Sequence, residues 1–236
     1  MLTYVDVHFC IHRASETCIF LAGTLHPNPD YALGAMSIYQ SINTFCFMFP
    51  VGFNTAASAR VAMFLGKNKP ADAYFASKIS LFFAGLLSFT IGNILFFTPH
   101  TTFPSLFTSD HEVVSQTSYT IPFLAFYVFA DGLQCCLQGI IIGCGKQFVM
   151  APVVLLSYWV VGVPLGYYNA FMKNDGVLEC DAMSLCGVRG LVFGLLTGTW
   201  IHMLLFMTVF VLAINWKKEA ELAQARMTQQ NKGVTS

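Results

Sequence analysis

Charged residues are scarce in this sequence. Only 10% of its 236 residues are Asp, Glu, Lys or Arg, whereas an ordinary soluble domain has about 25%. The 12 basic and 12 acidic residues also cancel, so no excess of positive charge favours a nucleic-acid partner. Because so few charges cannot keep a large apolar surface in water, the composition favours a chain whose solvent is the lipid bilayer.

Motifs for metal binding and catalysis are also missing. The 8 cysteines form no CxxC pair, so neither a thiolate metal site nor a cofactor is expected. The sequence has no HExxH motif, no paired acids and no credible nucleophile with its base, which argues against an enzyme. Cys180 and Cys186 lie in a polar loop, where they form a disulfide if that loop is extracytosolic and otherwise remain thiols.

Apolar residues make up most of the chain: 56% are hydrophobic and 23 are Phe. Six stretches approach the length of about 20 residues that a spanning helix needs, and none alternates as barrel strands do. We therefore predict an all-α membrane protein, in which residues 1–216 form one six-helix lobe and residues 217–236 form a cytoplasmic tail with a short surface helix. The predicted spans are residues 9–25, 33–65, 73–97, 117–144, 149–171 and 188–216.

The first predicted helix, within residues 1–30, is atypical because Arg13 and Glu16 fall inside its apolar run. Residues three positions apart lie on one helical face, so the two side chains can form an internal ion pair. Glu16 is therefore either half of such a pair or an acid that acts in function.

Lysine and arginine are distributed unevenly between the two predicted sides of the membrane. If the amino terminus is cytosolic, ten basic residues face the cytosol and only Lys173 and Arg189 face the other side. This is the bias that the positive-inside rule describes. We predict that both termini are cytosolic, in the plasma membrane or in a vacuolar or other endomembrane.

Asp131 lies well inside the fourth predicted span. Gln134 and Gln138 follow at i+3 and i+7, so the three side chains share one helical face. An acid at membrane depth is costly, and it persists where it faces a cavity or a partner. The sequence therefore predicts either an ion- or substrate-coupling group or a carboxyl that is only hydrogen-bonded between helices.

The second predicted span combines polar residues with an internal proline. Gln40 and Asn43 lie in its first half, and Pro50 removes a backbone hydrogen bond in its middle. A kinked helix with polar side chains can line a transport path, or it can pack against polar neighbours. Both interpretations remain open.

Glycines recur every four residues in the later spans, a spacing that lets helix backbones approach closely. Gly139 and Gly143 are one such pair, and Gly190 and Gly194 are another. We interpret these ridges as packing surfaces of a helix bundle.

An ordered series of short motifs resembles the multidrug and toxic compound extrusion (MATE) family. In the first half these are LAG at 21–23, PNP at 27–29, PVG at 50–52, ASARV at 57–61 and LGKNKP at 65–70. In the second half they are DGLQ at 131–134, GVP at 162–164 and GVRGL at 187–191. The motifs span nearly the whole chain after about residue 15.

The resemblance implies that this chain is similar to the second six-helix lobe of a twelve-helix MATE transporter. Members export organic cations or other organic solutes in exchange for protons or sodium. The resemblance assigns Asp131 to coupling and substrate binding, and it aligns Glu16 with the second of two family glutamates, where Ile11 stands at the first. Structural residues of the motifs and glycine pairs are then Pro50, Gly52, Arg60, Gly139, Gly143, Pro164, Gly190 and Gly194.

The partners implied by the resemblance are an organic solute, a proton or sodium ion, the bilayer, and a missing amino-terminal lobe or a second copy of this chain. An alternative hypothesis is a truncated, non-transporting membrane protein that binds or regulates a full-length transporter.

Overall fold

The computed structural model describes residues 4–178 and 185–234, and these are mostly helical. We number the helices α1 to α8, joining short irregular turns within one continuous helix. Their bounds are α1 Tyr4–Ala22, α2 Pro29–Gly66, α3 Pro70–Phe97, α4 His111–Ser118, α5 Ile121–Gly143, α6 Gln147–Met172, α7 Gly187–Ala213 and α8 Trp216–Val234.

Proline and aspartate set the helix starts. Pro29 and Pro70 occupy the first turns of α2 and α3, where the missing N–H of proline removes no helical hydrogen bond. Asp110 caps α4 by accepting hydrogen bonds from the backbone N–H groups of Glu112 and Val113 at 2.9 and 3.3 Å. Local sequence thus positions these ends.

The predicted fourth span, residues 117–144, began too early. The chain forms the short helix α4 to Ser118 and then starts α5 at Ile121. Pro122 lies in the first turn of α5, and a proline there begins a helix because it cannot continue the preceding one. The predicted end near residue 144 agrees with the end of α5 at Gly143.

Four helices within the described residues are long and apolar enough to cross a membrane: α3, α5, α6 and α7. The helices α1 and α2 are present, but they do not reach that level of hydropathy. Charged residues in α1 and a series of Ser, Thr, Asn and Gln residues in α2 lower it. The structure therefore supports a multi-pass helical membrane protein, with the six-span count resting on α1 and α2.

α5 is the central helix of the bundle. It packs against α2, α3 and α7, and 78% of its apolar stretch is buried, against 22% for α3. α6 packs mainly on α7, and α1 lies against α2, α6 and α7. Consequently α3 presents its Phe side chains outward, as a lipid-facing helix does.

The buried apolar side chains form two clusters, one toward each end of the bundle. On α5 the first cluster ends at Val128 and the second begins at Cys136. On α7 the first ends at Leu195 and the second begins at Phe206. The buried residues between these bounds include polar side chains on both helices, so a polar layer separates the two apolar clusters at mid-depth.

Glycines bring the helices into close contact. A Cβ atom on Gly194 of α7 would meet the carbonyl oxygen of Gly162 and, at 2.5 and 2.6 Å, the backbone N and Cα of Gly166 in α6. A Cβ atom on Gly143 of α5 would lie 2.8 Å from the carbonyl oxygen of Ser58 in α2. Both approaches require a residue without a side chain.

The carboxy-terminal helix α8 packs against the ends of α2 and α3. The prediction placed a short surface helix in the tail of residues 217–236, and the observed helix is long and partly buried. Glu219 is buried and forms an ion pair with Lys146, with a nitrogen–oxygen distance of 3.0 Å, while Gln224 donates a hydrogen bond to the carbonyl oxygen of Gly66. These are long-range contacts, which composition cannot indicate.

Cys186, at the start of α7, takes part in a disulfide bond. Its predicted partner, Cys180, lies outside the described residues, so that pairing stays a prediction.

Candidate functional site

Asp131 lies inside the polar layer, and its residue is only 5% exposed. The side-chain amide of Gln134 donates a hydrogen bond of 2.6 Å to the Asp131 Oδ1 atom. This is the i, i+3 geometry that their spacing in α5 permits. The acid is therefore held in the lobe interior, away from both lipid and bulk water.

Tyrosines from three helices surround this carboxyl. Asp131 interacts electrostatically with Tyr39 of α2, Tyr127 of α5 and Tyr158 of α6. All three rings are buried, and the Tyr158 hydroxyl lies 3.0 Å from the Thr199 Oγ1 atom of α7. Four helices thus contribute polar groups to one site.

No lysine, arginine or histidine forms an ion pair with Asp131 within the described residues. An isolated negative charge is expensive at this depth. A single amide hydrogen bond offsets only part of that cost. Within the described residues, most of the cost of a charged Asp131 is therefore left uncompensated.

Several buried polar atoms of the layer have hydrogen-bonding capacity left over. In the described part of the chain, seven buried side-chain atoms have no hydrogen-bond partner; they belong to Tyr39, Asn43, Ser88, Gln134, Gln138 and His202. Buried polar groups in proteins are normally hydrogen-bonded to protein or water. These unpartnered atoms come from α2, α3, α5 and α7.

The structure brings together some of the predicted site residues. Gln134 and Gln138 share the buried face of α5 with Asp131, and Asn43 is buried on α2, one turn after Tyr39. Gln40 is half-buried and accepts a 2.6 Å hydrogen bond from the hydroxyl of Ser15. Gln40 therefore ties α1 to α2.

Glu16 has a different environment from Asp131. Its carboxylate lies 3.2 Å from the Arg13 guanidinium in an i, i+3 pair, and its side chain is 43% exposed. The internal ion pair that the sequence suggested is thus observed. A half-exposed ion pair of this kind contributes little to the stability of the fold.

The predicted structural residues fall into two groups. Pro50 is buried and lies beside Gly132, while Gly139, Gly190 and Gly194 are buried at helix contacts. Gly52, Arg60 and Pro164 are exposed, and a Cβ atom on Gly52 would meet nothing within 4 Å. Packing within this lobe therefore accounts for the first group only.

Tyr39, Tyr158, Thr199 and His202 are site residues that sequence reasoning missed. They lie on three different helices, so periodicity within one helix gave no signal that joins them. The available sign was a histidine inside the last span, 15 residues before the polar tail that begins at 217. Their assembly depends on contacts among α2, α5, α6 and α7.

Metal binding receives no support from the described part of the chain, where no group of three or more His, Cys, Asp or Glu residues could hold a metal ion.

A helical membrane bundle that buries an uncompensated carboxyl at mid-depth has the construction of a secondary transporter, in which ion and substrate sites lie near the bilayer midplane. Comparison with known proteins identifies the family. The family model described as MatE matches residues 8–168, and the chain therefore belongs to the MATE family.

Plant proteins are among the relatives. The chain is 32% identical over 215 residues to Protein DETOXIFICATION 36 of Arabidopsis thaliana, covering 91% of this chain and 40% of that protein. It is 33% identical over 218 residues to Protein DETOXIFICATION 16 of the same plant, covering 92% of this chain and 42% of that protein.

A solved structure shows the same fold. The crystal structure of the eukaryotic MATE transporter AtDTX14 matches with a TM-score of 0.80 and 31% identity, covering 90% of this chain and 44% of that one. The chain thus spans less than half the length of these relatives.

Proposed function

We propose that this chain is the second lobe of a MATE-type antiporter, which exports organic cations or other organic solutes in exchange for protons or sodium. The observation that carries the proposal is the buried Asp131 carboxyl, which no basic side chain neutralises within the described residues. A proton or metal cation and a cationic substrate compete for this one group. That competition couples the two flows.

The lobe acts together with a first lobe, supplied by a separate amino-terminal half or a second copy of the chain. Alternating access needs two units that rock against each other around a shared site. The outward face of α2 suits such a contact because it is less apolar than a lipid-facing helix: Ser37, Ser41, Thr44 and Thr55 are all exposed there. Support also comes from the relatives, which are more than twice as long as the matched region.

In this assembly α1 and α2 complete six spans. Protein contact shields their polar residues from hydrocarbon, so the two helices need less hydropathy than α3 or α6. Both termini then lie in the cytosol. The basic residues on α2, on the α2–α3 turn, before α6 and on α8 support this orientation by the positive-inside rule.

Solute flux into proteoliposomes tests the proposal. The chain is reconstituted alone and together with a first lobe from a MATE relative, and uptake of an organic cation is followed under an imposed pH gradient or sodium gradient. Gradient-dependent flux is expected only with both lobes present. Absence of flux in every combination would remove the transport assignment.

The variant Asp131→Asn tests the coupling role. The amide keeps the shape and the hydrogen bond with Gln134 but cannot carry the exchanged charge, so gradient-driven flux is expected to disappear while the protein still folds. Asp30→Asn is the matched control, since Asp30 is exposed in the first turn of α2. Normal flux in Asp131→Asn would exclude this carboxyl from coupling.

A further inference from the structure

His202 of α7 is fully buried, and neither of its ring nitrogens has a hydrogen-bond partner within the described residues. A neutral imidazole offers one N–H donor and one acceptor nitrogen. Native proteins rarely leave such groups unsatisfied, and a buried water is the usual partner. The Phe206 ring, with its centroid 4.2 Å away, covers one side of the imidazole.

The helix register places His202 level with Asp131. Phe123 of α5 contacts Phe193 of α7, and Phe129 of α5 contacts Trp200 of α7, with ring centroids 6.3 and 6.1 Å apart. In both pairs the α7 residue comes about 70 positions after its α5 partner, and the later residue of α5 contacts the later residue of α7. The helices are therefore parallel here, and continuing the same register brings His202 to the depth of Asp131.

Tyr158 lies between the two side chains. Its ring meets the His202 ring edge to face, with centroids 5.6 Å apart. The Thr199 hydroxyl donates to the carbonyl oxygen of Leu195 at 3.1 Å, and it has only one proton to give. The Tyr158 hydroxyl therefore donates to Thr199, and its oxygen acts as an acceptor toward other neighbours.

The side chains of Gln134 and Tyr127 both interact with the Tyr158 hydroxyl. The Gln134 amide in turn holds the Asp131 carboxyl. A polar chain thus runs from Asp131 through Gln134 to Tyr158, crossing from α5 to α6. It ends beside the unpartnered imidazole on α7.

We propose that His202 is a positioning residue of the Asp131 site: it binds a buried water that also contacts the Tyr158 hydroxyl, and so fixes the hydroxyl that faces Gln134. The inference rests on the proposed function only in giving Asp131 the coupling role. The water links the packing of α6 and α7 to the carboxyl on α5. A change of charge at Asp131 then alters the packing of α6 against α7, which the Tyr158–Thr199 contact joins.

Infrared spectroscopy of the whole chain in lipid tests the link without requiring transport. The absorption band of the Asp131 side chain, whether carboxyl or carboxylate, is assigned by its loss in Asp131→Asn. The frequency of this band reports the hydrogen bonding of that group. His202→Phe is expected to shift this band because it removes the water contact. His202→Gln is expected to leave the band in place because glutamine keeps one donor and one acceptor.

Two further variants separate the proposal from a general packing effect. Tyr158→Phe is expected to shift the same band, since it removes the intermediate hydroxyl. His100→Gln is the control, because His100 lies beyond α3, where its ring nitrogen is 3.3 Å from the Phe96 carbonyl oxygen. An unchanged band in both His202→Phe and Tyr158→Phe, or an equal shift in His202→Gln and His202→Phe, would overturn the proposal.

The water itself is tested by nitrogen-15 NMR of histidine-labelled protein, with the His202 signal assigned by its loss in His202→Gln. Magnetisation transfer from water to the His202 ring is expected. A ring that shows no water contact would overturn the proposal whatever the flux experiments give. Conversely, a hydrated His202 in a protein without flux would contradict only the transport assignment.

Discussion

Replacing Gly194 by alanine isolates the close contact between α6 and α7. The three atoms nearest to the added Cβ atom would all be backbone atoms: the Gly162 carbonyl oxygen, and the Gly166 N and Cα atoms at 2.5 and 2.6 Å. Backbone cannot rotate away as a flexible side chain can. The helices must therefore separate by an amount on the order of 1 Å to restore ordinary contact distances near 3.5 Å.

The expected magnitude follows from two opposing contributions. Alanine favours a helix over glycine by about 1 kcal/mol, whereas overpacking a tight contact costs about 1–3 kcal/mol. Gly52→Ala provides the first contribution alone, because nothing lies within 4 Å of its added Cβ atom. We expect Gly194→Ala to be less stable than Gly52→Ala by about 1–3 kcal/mol.

Thermal unfolding of both variants and the parent chain in the same lipid or detergent measures this difference. Gly52→Ala should match or exceed the parent in midpoint, and Gly194→Ala should fall below it. Equal midpoints for the two variants would show that α6 and α7 do not approach each other through Gly194, and the glycine interpretation would fail.

Two further predictions concern the docking of α8. Lys146→Met leaves the Glu219 carboxylate, which is 3% exposed, without its partner. We expect the free energy of unfolding to fall by about 3 kcal/mol, and the added change Glu219→Leu to restore most of it. Denaturant unfolding of the single and double variants measures both effects. Gly145 has a φ of +72° and lies against the Arg226 guanidinium, so Gly145→Ala should destabilise by about 1–2 kcal/mol, whereas Gly66→Ala, with ordinary 3.7 Å contacts to Met227, should not. If protease cuts α8 equally fast in these two glycine variants, the left-handed conformation at 145 is not what holds the helix.

Much of the fold follows from local sequence. Helix existence was predictable because the apolar runs are long and cannot form barrel strands. The start of α5 was misplaced because the weight of Pro122 in separating α4 from α5 was overlooked. The role of the polar residues in α2 remained open, because it depends on which part of the protein packs against them.

The site divides in the same way. Asp131, Gln134 and Gln138 could be grouped from spacing alone, because a single helix fixes their common face. Asn43, Tyr158 and His202 could not be joined to them, since their distance from Asp131 depends on how α2, α6 and α7 pack. Glu16 could equally have been a site residue or half of an ion pair until its contact with Arg13 was seen.

The sequence by itself determined that this protein is a helical membrane chain with an acid, Asp131, well inside an apolar span, because hydropathy and helical periodicity act within single segments. Tertiary structure alone decided that the acid is buried without a basic partner among the described residues and that a tyrosine and a histidine from other helices share its layer. It also decided that α8 closes one end of the bundle. These are relations between segments distant in sequence, and close packing through glycine backbones establishes them.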